Sequence, residues 1–431
     1  MTEAIELHRS RGDFAAVERL LRRKLDAAVA AEDVPTQLET YSALADLYQK
    51  DLGWLDYAVT ALEHAQALDP NNLERTKQLA EICASDPARH LDQAVAAHLR
   101  LIEKEPRRIE SYHAMRRLYT ETKNADGAWC LCQALTVLGL ADPDEERFYK
   151  RMRAETAAPA QAVFSEYDWM AVTHGDTNPL LTSLFAVIEP AVIAARAPDL
   201  SALGFHPSQA IDLSQTPAPM TQTLFYAAGV MGIQAPPAFV IKDDQGGLSF
   251  LHARTPAIGL GRVAMSSKVP PQAAAFIAAR HLSYLRPGFY LRQLLTSATG
   301  LKAWLFAAIK LISPQFPITP DIEGPVKEAM AALDAGVRGA ARDELARVVS
   351  TLLREGAALD LKKWVTAVDL SADRAGFVLA HDLETAAQII KASDESASAV
   401  TGPERLRQVA LFAISSEYLA LRQRLRISVD V

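Results

Sequence analysis

The chain has 431 residues, with 45 basic and 52 acidic side chains, a net charge of -7 and 49% hydrophobic residues. That length suits roughly two to three domains of about 100 to 200 residues each, and the composition excludes wholesale disorder, a collagen-like repeat and a coiled-coil fibre. The acidic balance disfavours a broad surface for nucleic acid or anionic lipid, so no nucleic-acid partner is expected.

The first residues, MTEAIELHRSRGD, are polar and lack an apolar leader core. No later stretch reaches the roughly 18 uninterrupted apolar residues of a membrane span. The nearest, Leu301 to Ile312, is short and carries Lys302 and Lys310. Three cysteines, Cys83, Cys130 and Cys132, supply neither a disulfide framework nor a four-ligand zinc module. These features lead to the expectation of a cytoplasmic, bacterial-type protein in a reducing compartment, without membrane insertion.

Within the first 150 residues an Asp-x-Ala pattern recurs at Asp13, Asp56, Asp92 and Asp126, at spacings of 43, 36 and 34 residues. A second landmark keeps step with it: Asp69-Pro70, Glu105-Pro106 and Asp142-Pro143. Between landmarks the apolar spacing is helical, as in Ala58, Leu62, Ala65 and Leu68. Each unit is therefore expected to be two antiparallel helices joined by a short turn, with small residues such as Ala58, Ala94 and Ala128 where helices approach. Cys130-x-Cys132 falls within a helix, where positions i and i+2 face different ways, so the pair reads as buried thiols and not a chelate. Glu110-x-x-His113 has the spacing of half a di-iron site, but the second copy and the further glutamates are not apparent.

The segment WLDYAVTALEHAQALDPNN makes this array resemble tetratricopeptide repeats over about residues 10 to 150. The resemblance implies a right-handed solenoid with a concave groove for peptides or partner proteins. A purely buttressing role for these helices is the alternative.

From Ala154 to Ala162 the sequence AETAAPAQA marks a boundary, giving domains at 1–155 and 156–431. Asn178 to Ala195 reads as a helix, the segment holding Pro198, Pro207, Pro217 and Pro219 as broken pieces, and 221–234 as helix again. Strand signals follow at Ala238 to Lys242, Ser249 to His252 and Ala257 to Val263, with a turn cluster at Asp243 to Gly247. They predict a small antiparallel sheet ahead of long helices, hence an α+β fold that is mostly helical. Gly259-x-Gly261 lacks the third glycine of a dinucleotide fingerprint and reads as an edge strand or bulge. His252 reads as a lone polar residue on an exposed face.

Two helices then carry the chemical argument: Pro271 to Leu285, and Leu361 to Ser393 with Trp364, Val368, Ala375 and Leu379 along one stripe. The order of sheet, helix, helical insert and second helix, with Asp369-Leu370-Ser371-Ala372-Asp373 on the last, resembles M48-type zinc metallopeptidases of the gluzincin fold over about residues 165 to 400. In that family the first helix bears His-Glu-x-x-His and the second a glutamate ligand followed by Ala-Asp. Here an aspartate, Asp369, stands in place of the ligand glutamate. Aligning Arg280-His281-Leu282-Ser283-Tyr284 with the first motif puts arginine and tyrosine at the ligand positions and histidine at the general-base position. The resemblance therefore implies a degenerate metal site at Arg280, His281, Tyr284, Asp369 and Asp373, with no catalytic residue and no metal or other cofactor. Arginine offers no lone pair, and the glutamate that would deprotonate water is missing. The segments AWCLCQALTVLGLADPDEERFYKR, AARHLSYLRPGFYLRQLL and SADRAGFVLAHDLETAAQII also resemble the long tetratricopeptide proteins of predatory and gliding bacteria.

Two readings of the acids follow. Arg280 bridges Asp369 and Asp373 in place of a metal, or both acids lie on a solvated helix face. Gly376 on the same helix marks close helix approach. His252, His281 and the His381-Asp382-x-Glu384 run are candidates for a shifted metal site, and no Gly-x-Ser-x-Gly elbow supports serine chemistry. The last helix, Pro403 to Leu425, carries Arg405, Arg422 and Arg424, with Arg426 beyond it, read as a solvated face with charges at a helix end. The expected function is a non-catalytic binding or scaffold module for a protein or peptide partner, with a metallopeptidase of unusual metal site, or a structural part of a larger assembly, as alternatives.

Overall fold

The computed structural model describes residues 2–153, 159–356, 359–393 and 398–429. The chain divides into two compact units: Met1–Arg151 with Ile414–Ser416 and Val429–Val431, and Met152–Ala413 with Glu417–Ser428. Of the linker expected at Ala154 to Ala162, positions 154–158 lie outside the described residues.

The first unit is a run of helices: α1 (Thr2–Ser10), α2 (Phe14–Ala30), α3 (Val34–Asp46), α4 (Leu55–Leu68), α5 (Leu73–Ala84), α6 (Pro87–Lys104), α7 (Ile109–Glu121) and α8 (Ala125–Leu138), each packed on the next, and α9 (Pro143–Met152), which meets α8 through Tyr149 and Trp129. A π-helical stretch, Leu47–Leu52, extends α3 and closes on Gly53 in the left-handed region. The Asp-x-Ala landmark has one structural meaning at three of its four positions. Asp56 and Asp126 sit second in α4 and α8, and Asp92 lies just past the break in α6 at His90. A negative charge in a first helical turn complements the exposed N–H groups there. The alanine two residues on, at 58, 94 and 128, is buried in each case. Asp13 differs: it is the N-cap of α2, its side chain accepting from Ala16 N, and Ala15 beside it is exposed. The N-cap placement accounts for only part of the longer first spacing, an interval that also holds the π-helical extension of α3.

The second unit contains α10 (Glu166–Val172), α11 (Pro179–Arg196), α12 (Pro219–Met231), α13 (Pro271–Ser283), α14 (Leu291–Leu294), α15 (Ala298–Ile312), α16 (Glu323–Gly336), α17 (Ala340–Glu355), α18 (Leu361–Ala380), α19 (Leu383–Ala392), α20 (Gly402–Ala413) and α21 (Ser416–Leu425). The prolines between α11 and α12 leave only two short 3-10 turns, as their spacing predicts. α11 is long and apolar enough, by length and composition, to cross a membrane. Its buried residues, including Leu184, Phe185 and Ile188, form one core with α15, α16 and α17, and Phe185 meets Trp364 of α18 at 4.7 Å.

The chain is mostly helical with a small sheet, and the sheet corrects the sequence expectation. Strands β1 (Ala238–Val240), β2 (Leu248–Leu251) and β3 (Ala257–Leu260) lie in the order β1-β3-β2, with β1 parallel and β2 antiparallel to β3. The sheet is mixed, and β3, expected at an edge, is central. The turn cluster does not close a hairpin because it clasps the far end of β3. Gly261 N donates to Gly247 O at 2.9 Å, and Arg262 N donates to Asp244 O at 2.8 Å. A Cβ on Gly261 would meet Gly246 O at 2.5 Å, so glycine is what lets the two backbones cross.

Two helices are also shorter than their apolar patterns suggest. The stretch expected to run to Ser393 breaks after Ala380, where His381 takes φ 35° and Asp382 caps α19 by accepting from Thr385 N. The last helix divides into α20 and α21.

Candidate functional site

Small residues on α13 and α18 bring the two helices together. Ala275, Ala278 and Ala279 on α13 and Ala372, Ala375 and Gly376 on α18 are all buried, and Phe276 and Gly376 mark the closest approach. A Cβ on Gly376 would stand 2.8 Å from Phe276 O, which accounts for glycine in mid-helix. From that contact the helices run antiparallel, so Arg280 meets Asp373 and Tyr284 meets Asp369, one turn further each time. Four of the five positions named by the motif alignment thus converge, His281 being the exception, and the solvated-face reading of the two aspartates is overturned: both are fully buried.

The bridge itself differs from the expected one. Arg280 Nε donates to Asp373 Oδ1 at 2.8 Å, while its Nη2 donates to the Tyr284 hydroxyl at 3.3 Å. Tyr284 in turn donates to Asp369 Oδ1 at 2.9 Å. Arg280 therefore reaches Asp369 only through Tyr284. Asp373 receives its principal partner from α20, where Arg405 donates Nε to Oδ2 and Nη2 to Oδ1, each at 2.7 Å. On Asp369, Oδ2 accepts from Arg292 Nη2 at 3.1 Å, Ser398 Oγ at 3.2 Å and Ala399 N at 2.7 Å. All four carboxylate oxygens are occupied by donors.

These contacts set the protonation states. Burial works against the Arg280 charge, yet Tyr284, Asp373 and Asp369 outweigh it and hold the guanidinium above its usual value. Burial, with the two acids, pushes the Tyr284 phenol up against the opposing pull of Arg280. His281, which the motif alignment set at the general-base position, turns away from the acids. Its Nδ1 lies 2.8 Å from Ile277 O and its ring packs on Phe250, and burial reinforced by Arg280 lowers its pKa to about 4. It is a neutral imidazole near pH 7.

Arg292 was not singled out in the sequence, and Arg405 was read only as part of a solvated helix face. For Arg405 a signal exists, since it shares an apolar stripe with Val409 and Phe412 at i+4 and i+7, and an arginine there needs a buried partner. The solvated-face reading of the terminal arginines fails for Arg405 and Arg422, which are buried, and holds for Arg424 and Arg426, which are exposed. Arg405 is 3% exposed; Arg422 is 0% exposed and donates to Ile427 O at 2.8 Å; and Arg424 pairs with Asp168. Arg426 is exposed.

The remaining metal candidates are dispersed or already paired. His252 lies just past β2, half-buried beside the Tyr290 hydroxyl at 3.3 Å, and is not on an exposed strand face. Asp382 and Glu384 hold Arg153 at 2.6 and 2.5 Å. Glu110 is exposed, while His113 comes together with Asp142 and Glu145, their ligand atoms within 4.8 Å of one another. Arg116 occupies that acidic pair, 3.2 Å from Glu145 and 3.8 Å from Asp142. It supplies from within the chain the positive charge a metal would bring. Among the described residues no other histidine, cysteine or acid group is spaced to hold a metal ion.

Each unit also presents a cavity. One of about 560 Å³ in the first unit is lined by Gln66, Leu79, Asp92, Gln93 and Arg100. One of about 540 Å³ in the second runs beside β2, lined by Arg196, Phe205, Phe250, Leu251 and His252. Compared with family models, curated proteins and solved structures, the chain matches none.

Proposed function

We propose that the protein is a non-catalytic binding module, in which a tetratricopeptide-like repeat unit and a degenerate M48-like peptidase unit each offer a docking surface to a protein or peptide partner. The reading is supported chiefly by the Arg280–Asp373–Arg405 arrangement. Guanidinium groups stand where a divalent ion and its water would act, and every carboxylate oxygen that a metal would need is already accepting a hydrogen bond. A hydrolase of this kind needs a Lewis acid and a base within reach of water, and the cluster provides neither in an accessible form. His281 has a suitable ring but faces Ile277 O.

Docking in the second unit would use the free side of β2, since β3 is enclosed between its neighbours and β1 already receives Ile211 N at Ala238 O. All four residues of β2 are half-buried and border the 540 Å³ cavity at Phe250 and Leu251, a setting suited to an added peptide strand. In the first unit the 560 Å³ cavity between α4, α5 and α6 is the corresponding surface.

The test uses full-length protein loaded with zinc, dialysed and offered an unfolded polypeptide substrate. The expected result is no chelator-sensitive cleavage, together with a stoichiometric partner recovered by affinity capture from the native cell. Chelator-sensitive cleavage overturns the reading.

A further inference from the structure

The outer side of β2 is not uniform along the strand. Gly247 O accepts from Gly261 N, and bonded positions alternate along an antiparallel pair, so Ser249 and Leu251 also bond toward β3. The main chains of Leu248 and Phe250 therefore point outward. His281 of α13 engages the Leu248 backbone there. An incoming chain is left the Phe250 end of the strand, and Phe250, Leu251 and His252 are the residues that border the 540 Å³ cavity.

Arg196 lies beyond that end. Arg254 N donates to Pro198 O at 2.9 Å, which ties the segment following α11 to the residues following β2. Arg196, two residues before Pro198, is exposed and lines the cavity together with Leu203 and Phe205. The rest of the wall is apolar apart from His252, and burial lowers the pKa of that ring, leaving it uncharged near pH 7. Among the described residues, one ionic group thus stands in an otherwise apolar wall. Arg196 also lines an adjoining cavity of about 410 Å³, whose acid, Glu328, borders that cavity alone.

We propose that Arg196 selects the peptide docked on β2 by pairing with an acidic side chain that precedes a run of apolar residues. The inference rests on the strand-addition reading of this cavity. Antiparallel pairing is the more stable arrangement per residue, and it sets the amino-terminal end of the incoming chain beside His252 and Arg196. There the guanidinium fork accommodates a carboxylate. The residues that follow bond the Phe250 main chain and lay apolar side chains against Leu203 and Phe205.

The experiment titrates full-length protein calorimetrically with pentapeptides blocked at both ends, in which glutamate, glutamine or lysine leads the same valine-alanine-valine-alanine run. The glutamate peptide is expected to bind roughly three- to tenfold more tightly than the glutamine one, as suits a partly exposed charge pair. Arg196→Gln should abolish that difference, and Arg196→Glu should reverse it in favour of the lysine peptide. Because Arg196 is exposed, both variants are expected to keep the wild-type melting temperature. Equal binding of the glutamate and glutamine peptides to the wild type overturns the inference and leaves the docking reading standing. A glutamate preference that survives in Arg196→Gln overturns it as well, since another cation then holds the acid. If no peptide binds, the docking reading of this unit fails and the inference falls with it.

Discussion

Asp373 accepts three guanidinium hydrogen bonds, two of them from Arg405, so the two arginines are not equivalent in stability. Removing one partner of a buried pair costs about 3 to 5 kcal/mol when it strands the other charge. Arg405→Ala is expected to fall in that range by urea unfolding. Arg280→Ala is expected to cost less, because Arg405 still holds both oxygens of Asp373. The thiols give a second prediction at this scale. All three cysteines are buried, and burial pushes Cys83 and Cys132 up to about 12, so Ellman's reagent at pH 8 should modify none of them until the protein unfolds. The convergence of Arg280, Tyr284, Asp369 and Asp373 was one of two readings the sequence offered: helical spacing puts each pair on one face, and only the resemblance to metallopeptidase motifs set the two faces against each other. The sequence could not supply Arg292 or the 398–399 backbone, which reach Asp369 from segments distant along the chain and carry no pattern of their own.

At the scale of elements, close packing of α13 on α18 outweighs helix propensity at Gly376. Alanine there would gain about 1 kcal/mol of propensity. Its Cβ would stand 2.8 Å from Phe276 O and 3.0 Å from the Phe276 ring, and overpacking of that kind costs about 1 to 3 kcal/mol. Gly376→Ala should therefore lower the melting temperature, and a raised one would contradict the close contact. The helices were readable from periodicity, and the structure adds their caps, Asn178 before α11 and Asp360 before α18. The sheet was not. A turn-rich link between two apolar runs suggests a hairpin, and only the tertiary bonds between 244–247 and 261–263 reveal that the link is spent on β3. The breaks at His381 and between α20 and α21 were missed because apolar periodicity continues across them.

At the scale of the whole molecule, each unit buries one histidine whose pKa burial lowers to about 4, His98 in the first and His281 in the second. The unfolded chain takes up these protons first, so the stability they represent is complete above about pH 6.5 and is lost as pH falls toward 4. Glu189 acts in the opposite sense: burial raises it to about 7, so its contribution is greatest below pH 4.5 and is lost as pH rises through 7. Replacing both histidines with glutamine should flatten the fall in stability between pH 6.5 and 4, whereas Glu189→Gln should flatten the loss between pH 4.5 and 7. Chemical unfolding across that range checks both.

The account turns on what occupies the space between α13 and α18. A crystal of the full-length protein grown with zinc and measured at the zinc absorption edge addresses that space directly. We predict guanidinium density joining Arg280 and Arg405 to Asp373 and no anomalous peak beside either aspartate. A zinc peak at roughly 2.0 to 2.2 Å from an Asp369 or Asp373 oxygen would contradict the account.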